Sequence, residues 1–372
     1  MSEFNASNFK KEEGGQGPDI IGTTELTSPY FMVPPSGTTA QRPSGCAPGT
    51  LRFNTDIGSL EYFKGDTLGW ESINREVSAP LGARGIFAGG NGPATRTAID
   101  YITIATTGNA KDFGDSDVPV DVPAGAANLV RGIVAGGYAP APTSNDTSNI
   151  SMLTIATLGN TTTWGTLSSA RRNRDGCGDH SRGLFMSGYP TTAQIDYITY
   201  MSTGTSIDFG DTTDARYNTG CLSDSTRGVA AAGTSPAAVN VIDYVTIQST
   251  GNAVDFGDSS VVSDDAGGHS SSTRGIFAYG EGDPVSSARN VIDYITIAST
   301  GNATDFGDCH DGDEKNVTGS STRCCIAGGY TPTQQNTIQY VTMATTGNGI
   351  DFGDLTVTRS GGASFSNSGG GL

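Results

Sequence analysis

The chain has 372 residues, a formal net charge of −17, only 16% charged residues and 53 glycines. So acidic a chain argues against a nucleic-acid partner, because phosphate binding needs a basic face. No apolar run approaches the roughly 20 residues of a membrane-crossing helix, and the glycine content suits a turn-dense all-β protein.

Residues 1–50 are rich in Ser, Thr, Gly and Pro and read as an extended arm. The opening MSEFNASNFKKEEGG has no apolar signal core, so synthesis in a cytoplasm is the expectation. The six cysteines show no regular spacing, which fits a reducing compartment and no disulfide framework. Within the arm, Tyr30, Phe31, Met32 and Val33 offer apolar side chains for docking. Residues 51–75 alternate as a small β-meander, with LRFN, LEYF and GWESI separated by turns. A segment of that length cannot bury a core alone and should pack on the rest of the chain, on a partner or on copies of itself.

Residues 76–372 carry a repeat. Arg84, Arg131, Arg182, Arg227, Arg274 and Arg323 each open a similar block, at intervals of about 45–51 residues, the period of a propeller or solenoid. A run such as RGIFAGG (Arg84–Gly90) is followed by a variable loop, then IDYITIAT (Ile99–Thr106), a Gly-Asn turn and DFGD (Asp112–Asp115). The second copy is the most worn, with ISMLTIAT and TTWGT placing Trp164 where the others have Phe. The runs are rich in β-branched and aromatic residues and bounded by Gly and Asn. Both faces of IDYITI are apolar, as expected of a strand covered on both sides. A fourth, more polar strand fits before each arginine. The first copy lacks one, and Gly362–Ser368 resembles the missing piece. The expectation is a six-bladed β-propeller of four-stranded antiparallel blades, with a C-terminal strand closing blade one.

The repeated residues read mainly as scaffold. The DFGD acids (Asp112, Asp115, Asp208, Asp211, Asp255, Asp258, Asp305, Asp308, Asp351, Asp354) lack the companions of a kinase site. They read as turn or strand-end devices, with calcium binding the sharper alternative. Asp100, Asp196, Asp243 and Asp293, replaced by Ser151 and Gln339 in two copies, suit a satisfied polar position or inward acids around a channel. The arginine anchors suit pairing with an acid of the next block. Asp311, Asp313 and Glu314 break the repeat and form the best local cation candidate, beside the ordinary reading of a solvated loop. Cys177 with His180 and Cys309 with His310 invite zinc, but three histidines give no four-ligand spacing. Arg171, Arg172 and Arg174 read as aperiodic, a local anionic contact. No nucleophile–base–acid set or GxSxG elbow stands out. The expectation is therefore no enzyme, no catalytic, cofactor-binding or metal residue, and no cofactor.

The blocks RG(I/V)(F/A)AGG…IDYITIATTGNATDFGDL, over roughly residues 84–372, resemble virion structural proteins of cyanophages and related marine phages. In these, such units form a Kelch-like propeller. Pro34–Ile73, with GTTAQRP and RFNTD…LEYF…W, is similar to a segment of phage tail-fibre and neck proteins that precedes a variable distal domain. The resemblance implies a virion component attached to other virion proteins through residues 1–75. Its propeller loops, which vary between each GG and the following IDY, would contact a host-surface glycan or protein. A homo-oligomer, a trimer by preference, follows from the meander's need for a partner. The alternatives are a capsid or collar decoration protein, and a polysaccharide-cleaving propeller with paired acids.

Overall fold

The computed structural model describes residues 34–56, 59–67, 69–72, 83–92, 97–140, 142, 144–173, 175–281, 290–370 and 372. Tyr30 to Val33, Arg174 and parts of three variable loops lie outside them. The described residues are all-β, relieved only by a three-residue 3-10 turn at Thr39–Gln41. None of their helices is long and apolar enough to cross a membrane. The chain divides into two compact units, Met1–Val77 and Ser78–Leu372.

In the first unit, Leu51–Asn54, Ser59–Phe63 and Trp70–Ser72 form the expected antiparallel meander. A fourth strand comes from the segment read as extended arm, because Ser36–Gly37 pairs parallel to Leu51–Asn54. The following turn is tied down by its own polar groups. Arg42 forms an ion pair with Glu61 at 2.7 Å, Arg52 reaches the same carboxylate at 3.3 Å, and the Arg52 guanidinium donates to the Thr38 carbonyl. The two arginines and the amide of Asn54 supply the bonds that a buried Glu61 needs. One sheet face is thus a buried polar network beside the Phe63–Trp70 contact at 5.4 Å.

The second unit holds six sheets of one pattern. The second strand of each begins at an anchor: Arg84–Ala88, Arg131–Ala135, Arg182–Met186, Arg227–Ala231, Arg274–Tyr279 and Arg323–Ala327. The third carries the IDY motif and the fourth the DFGD motif, both antiparallel to their neighbours. The first strand precedes the anchor in five sheets, for example Ala124–Ala127 and Ala266–Ser270. In the remaining sheet it comes from the other end of the chain, where Ala363–Ser366 pairs with Arg84–Ala88. One sheet gains a fifth strand, Gly204–Thr205, parallel to Thr162–Thr166.

The apolar period explains how the sheets stack. Ile86 and Ile99 pack with Val134, Leu153 and Ile155 of the next sheet. Phe87, Ile102 and Ile104, from the same two strands, pack on the other side with Ala327, Ile338 and Phe352 of the last sheet. Each sheet is therefore apolar on both faces, and an Ile or Phe so buried contributes about 1.5–3 kcal/mol. Cys324 and Cys325 sit fully buried on opposite faces of one strand. They act there as small hydrophobes, and all six cysteines are free.

DFGD does not form a plain strand end. The register slips between Ile99 and Asp100, so Phe113 is the extra residue of a β-bulge. The bulge turns Phe113 edge-on to Tyr101 at 6.0 Å, a contact repeated in four other copies. Gly114 follows with φ +145, and a Cβ there would lie 2.6 Å from the backbone of Gly159 in the next sheet. The glycine is required because the neighbouring turn presses against it.

Candidate ligand-binding face

Most of the polar residues singled out by the repeat are used up between sheets. Arg84 donates to the Ile155 carbonyl at 2.7 Å, and Arg182, Arg227, Arg274 and Arg323 reach Ile247, Ile297, Met343 and Ile104 in the same way. Arg131 bonds the Tyr200 carbonyl. The anchors thus do bind the next block, but through a backbone carbonyl and not through an acid. Five of them also lie over the tyrosine of their own IDY or IQY motif, at 4.5–4.9 Å from the ring centre. The carbonyl at the strand's end is the nearer acceptor and costs no buried carboxylate. The IDY acids, read from the sequence as a satisfied polar position or as inward acids around a channel, have a partner of their own.

That partner is the chain leaving the preceding DFGD. Asp243 accepts from the backbone and hydroxyl of Thr213, each at 2.7 Å. Asp293 accepts from Ser260, Asp100 from Thr356, and Asp196 from Ser168. All four acids are buried, 0–1% exposed. Where the acid is replaced by Ser151, the other side has changed too: Asp117 stands at the hydroxyl position and accepts from Ser151 and Thr161. Gln339 accepts from the backbone of His310 at the sixth junction. These residues read as a satisfied polar position.

Buried Arg216 and Arg359 complete two junctions by pairing with Asp243 and Asp100. Arg171 occupies the same place, five residues beyond the end of TTWGT, and bonds Gln194. It is therefore periodic, contrary to the sequence reading. The signal was present in DTTDAR and DLTVTR, ending at Arg216 and Arg359, but a one-residue match was masked by the worn motif before it. The DFGD acids are exposed on the fourth strand, except Asp258 and Asp354, which are half-buried. The backbone N–H of Asp115 is held by Asn160 of the next turn at 3.0 Å, a staple repeated at Asp211, Asp258, Asp308 and Asp354.

Asp311 and Asp313, with Asp265, act on a cation that the chain itself supplies. The Lys315 ammonium is buried and donates to the carbonyls of Tyr279, at 2.6 Å, and Gly312. Glu314 accepts from Ser360 at 2.8 Å. Burial lowers the Lys315 pKa against the pull of the nearby acids. Among the described residues no three His, Cys, Asp or Glu side chains converge as a metal site. His310 is turned to the Gly328 carbonyl.

What varies is gathered at one end of the sheets. The residue after each glycine turn is Asn91, Tyr138, Tyr189, Thr234, Glu281 or Tyr330, and most of these bridge to a residue just before a first strand. Arg172 bridges to Tyr189 and Tyr217 to Thr234. The Arg172 guanidinium lies between two rings, 5.1 Å from Tyr138 and 4.7 Å from Tyr189. Tyr189 meets Tyr217 edge-on at 5.5 Å, and Asp146 answers the Arg172 charge at 3.0 Å. Three sheets thus contribute one row of aromatic and guanidinium planes. Tyr189, 39% exposed, is its most open member.

Immediately inward along the chain, Asn173 and Asn218 are hydrogen-bonded to each other. They line a shallow, solvent-open cleft together with Asp175, Asp265 and Glu314. Asp175 accepts the backbone N–H groups of Gly176 and Cys221 at 2.8 and 2.7 Å. It keeps some access to the cleft, yet its surroundings are protein, and desolvation pushes its carboxyl up to about 7. Asp265 is raised for the same reason, reinforced by Glu314, Asp264 and Asp313. No protein-family model matches the chain, and no curated protein is similar to it.

Proposed function

We propose that the six sheets are the blades of a closed six-bladed β-propeller, and that the chain is a structural appendage of a phage virion. Its N-terminal unit holds it to the particle, and the propeller presents its face of unlike loops to a partner. The observation that carries the reading is the pairing of the last strand, Ala363–Ser366, with the first anchor strand. Asn367 supports it by accepting from the Arg84 backbone at 2.9 Å. In the other hairpins an Asn, Asp or Ser three residues before the arginine does this locally, as Asn128 and Asp179 do. A scaffold joined end to end with constant junctions, and differing mainly in its loops, is suited to display.

Attachment is assigned to the N-terminal unit because its second sheet face is apolar and open. Leu51 pairs with Tyr62 and Phe53 with Leu60, and Leu51 and Leu60 remain 46% and 38% exposed. Such a face suits other virion proteins or further copies of the chain, a trimer being the simplest assembly. On the presenting side the partner is a host-surface molecule, where several copies add weak contacts into firm adhesion.

Gold-labelled antibody against the propeller should mark a tail, neck or baseplate structure on intact particles, and deletion of residues 1–77 should abolish that label. Absence of the chain from purified particles overturns the appendage reading. For closure, deletion of residues 363–372 should expose a sheet edge and cause aggregation. A truncated protein as soluble and stable as the whole overturns the closed propeller.

A further inference from the structure

We propose that the Tyr138–Arg172–Tyr189–Tyr217 row and the adjoining cleft at Asn173, Asn218 and Asp175 form a binding site for a neutral saccharide. The inference rests on the display reading and deepens it by naming the ligand class and the place on the face that takes it.

Three observations lead there. The row offers aromatic surface at solvent, with Tyr189 its most open ring, and a pyranose presents flat C–H faces that pack on such rings. The cleft beside it is lined by carboxamides and carboxyls, groups that both give and take hydrogen bonds and so suit hydroxyls. The Asn173–Asn218 bond uses the amino group of one and the carbonyl of the other. Both asparagines belong to the cleft lining.

Charge decides against the other ligand classes. An anionic ligand would need a free cation, but Arg172 is answered by Asp146 and Lys315 is bonded to backbone carbonyls inside its acidic loop. A cationic ligand would find the cleft acids already engaged, Asp265 by the charge of Lys315 and Glu314 by the Ser360 hydroxyl. The corresponding positions in the other half include Asn91, Glu281, Asp313 and Tyr330, and among the described residues no aromatic row forms there. An aromatic row confined to three of the six blades, beside a polar cleft that draws residues from all six, therefore suits an uncharged, hydroxylated and partly apolar ligand.

The test is an array of immobilised neutral hexose, N-acetylhexosamine and uronic-acid oligosaccharides, probed with the full chain and four variants. The wild type should retain a neutral oligosaccharide. Tyr189→Ala and Asn218→Ala should each weaken retention tenfold or more, Tyr189→Phe should keep most of it, and Tyr330→Ala in the other half should change nothing. Thermal melting of each variant separates loss of the site from loss of the fold. A wild type that holds no neutral oligosaccharide overturns the inference, as does one whose binding ignores both Tyr189→Ala and Asn218→Ala. Preference for the uronic-acid series also overturns it. A chain that marks virions but holds no sugar sinks this inference alone, whereas sugar binding by a chain absent from virions sinks the appendage reading alone.

Discussion

The two ends of each sheet obey different rules. At the hairpin end, six copies repeat the same devices: an arginine on the next sheet's carbonyl, and in five of the copies a Gly-Asn turn against the preceding DFGD. At the glycine-turn end, the equivalent residues are Asn91, Tyr138, Tyr189, Thr234, Glu281 and Tyr330. What is held constant joins sheets, and what varies meets solvent. The difference separates scaffold from site without any bound ligand.

The comparison breaks hardest where a constant junction is buried. Arg359 is fully buried, bonds the carbonyls of Phe87 and Gly89, and pairs with Asp100. Arg359→Ala leaves that carboxylate uncompensated, and we expect a loss of about 3–5 kcal/mol in denaturant unfolding. A loss under about 1 kcal/mol would mean that the junction is not structural. Next in size is a pair of glycines. Gly257 and Gly251 both hold φ near +150, but a Cβ on Gly257 would sit 2.5 Å from the Gly301 carbonyl while Gly251 has nothing within 4 Å. Both alanine variants incur backbone strain of about 1–3 kcal/mol. Only Gly257→Ala adds an overlap between sheets, so its melting temperature should fall further than that of Gly251→Ala.

The exchanged junction gives a smaller and more discriminating test. Ser151 and Asp117 hold the hydroxyl and the acid in reversed places. Ser151→Asp sets two carboxylates against each other, and a loss of about 1–3 kcal/mol is expected. Adding Asp117→Thr recreates the arrangement of Asp243 with Thr213 and should restore much of it. Singles that merely add in the double variant would show that the two positions are independent.

Acidity sharpens the contrast at the other end. The folded pKa of Asp175 lies near 7, above its value in the unfolded chain. The folded state therefore holds the proton more tightly, and the associated stability is present below about pH 4 and lost as pH rises through 7. Buried His269, held down to about 4 beside the Ser320 carbonyl, acts in the opposite sense, with its contribution lost as pH falls from 6.5 toward 4. Asp175→Asn should flatten the decline between pH 5 and 8. The melting temperature of the wild type should drop across that range by about 2–4 °C more than the variant's, the size of a 1 kcal/mol effect. Parallel curves would show that Asp175 does not titrate there.

The scaffold was largely legible in the sequence because its signals are repeated. The arginine spacing, the IDY strands and the missing first strand of copy one all pointed to the sheet order that is found. The junction partners were legible as well, since Asp243 with Thr213 and Ser151 with Asp117 covary along the chain, but pairing them needs to know which blocks touch. The aromatic row was not legible. Tyr138, Arg172, Tyr189 and Tyr217 are far apart in sequence and share no motif. Only the alignment of three sheets brings them together. The strand Ser36–Gly37 was hidden for a different reason: two residues carry no period, and parallel pairing leaves no hairpin signal.

The smallest expected effect is also the one that separates the two ends most cleanly. The side chain of Tyr189 is partly exposed and touches Arg172 and Tyr217 through ring contacts. Exposed contacts of that kind contribute about 0.5–1 kcal/mol, so Tyr189→Ala should lower stability by no more than that. Phe113 lies at the same spacing from its neighbours but is buried between sheets, and Phe113→Ala should cost about 3–5 kcal/mol. Measured side by side in one denaturant series, the two aromatic deletions should differ severalfold. If Tyr189→Ala proved as costly as Phe113→Ala, the variable end would be carrying the fold, and its freedom to differ from sheet to sheet would need another explanation than binding.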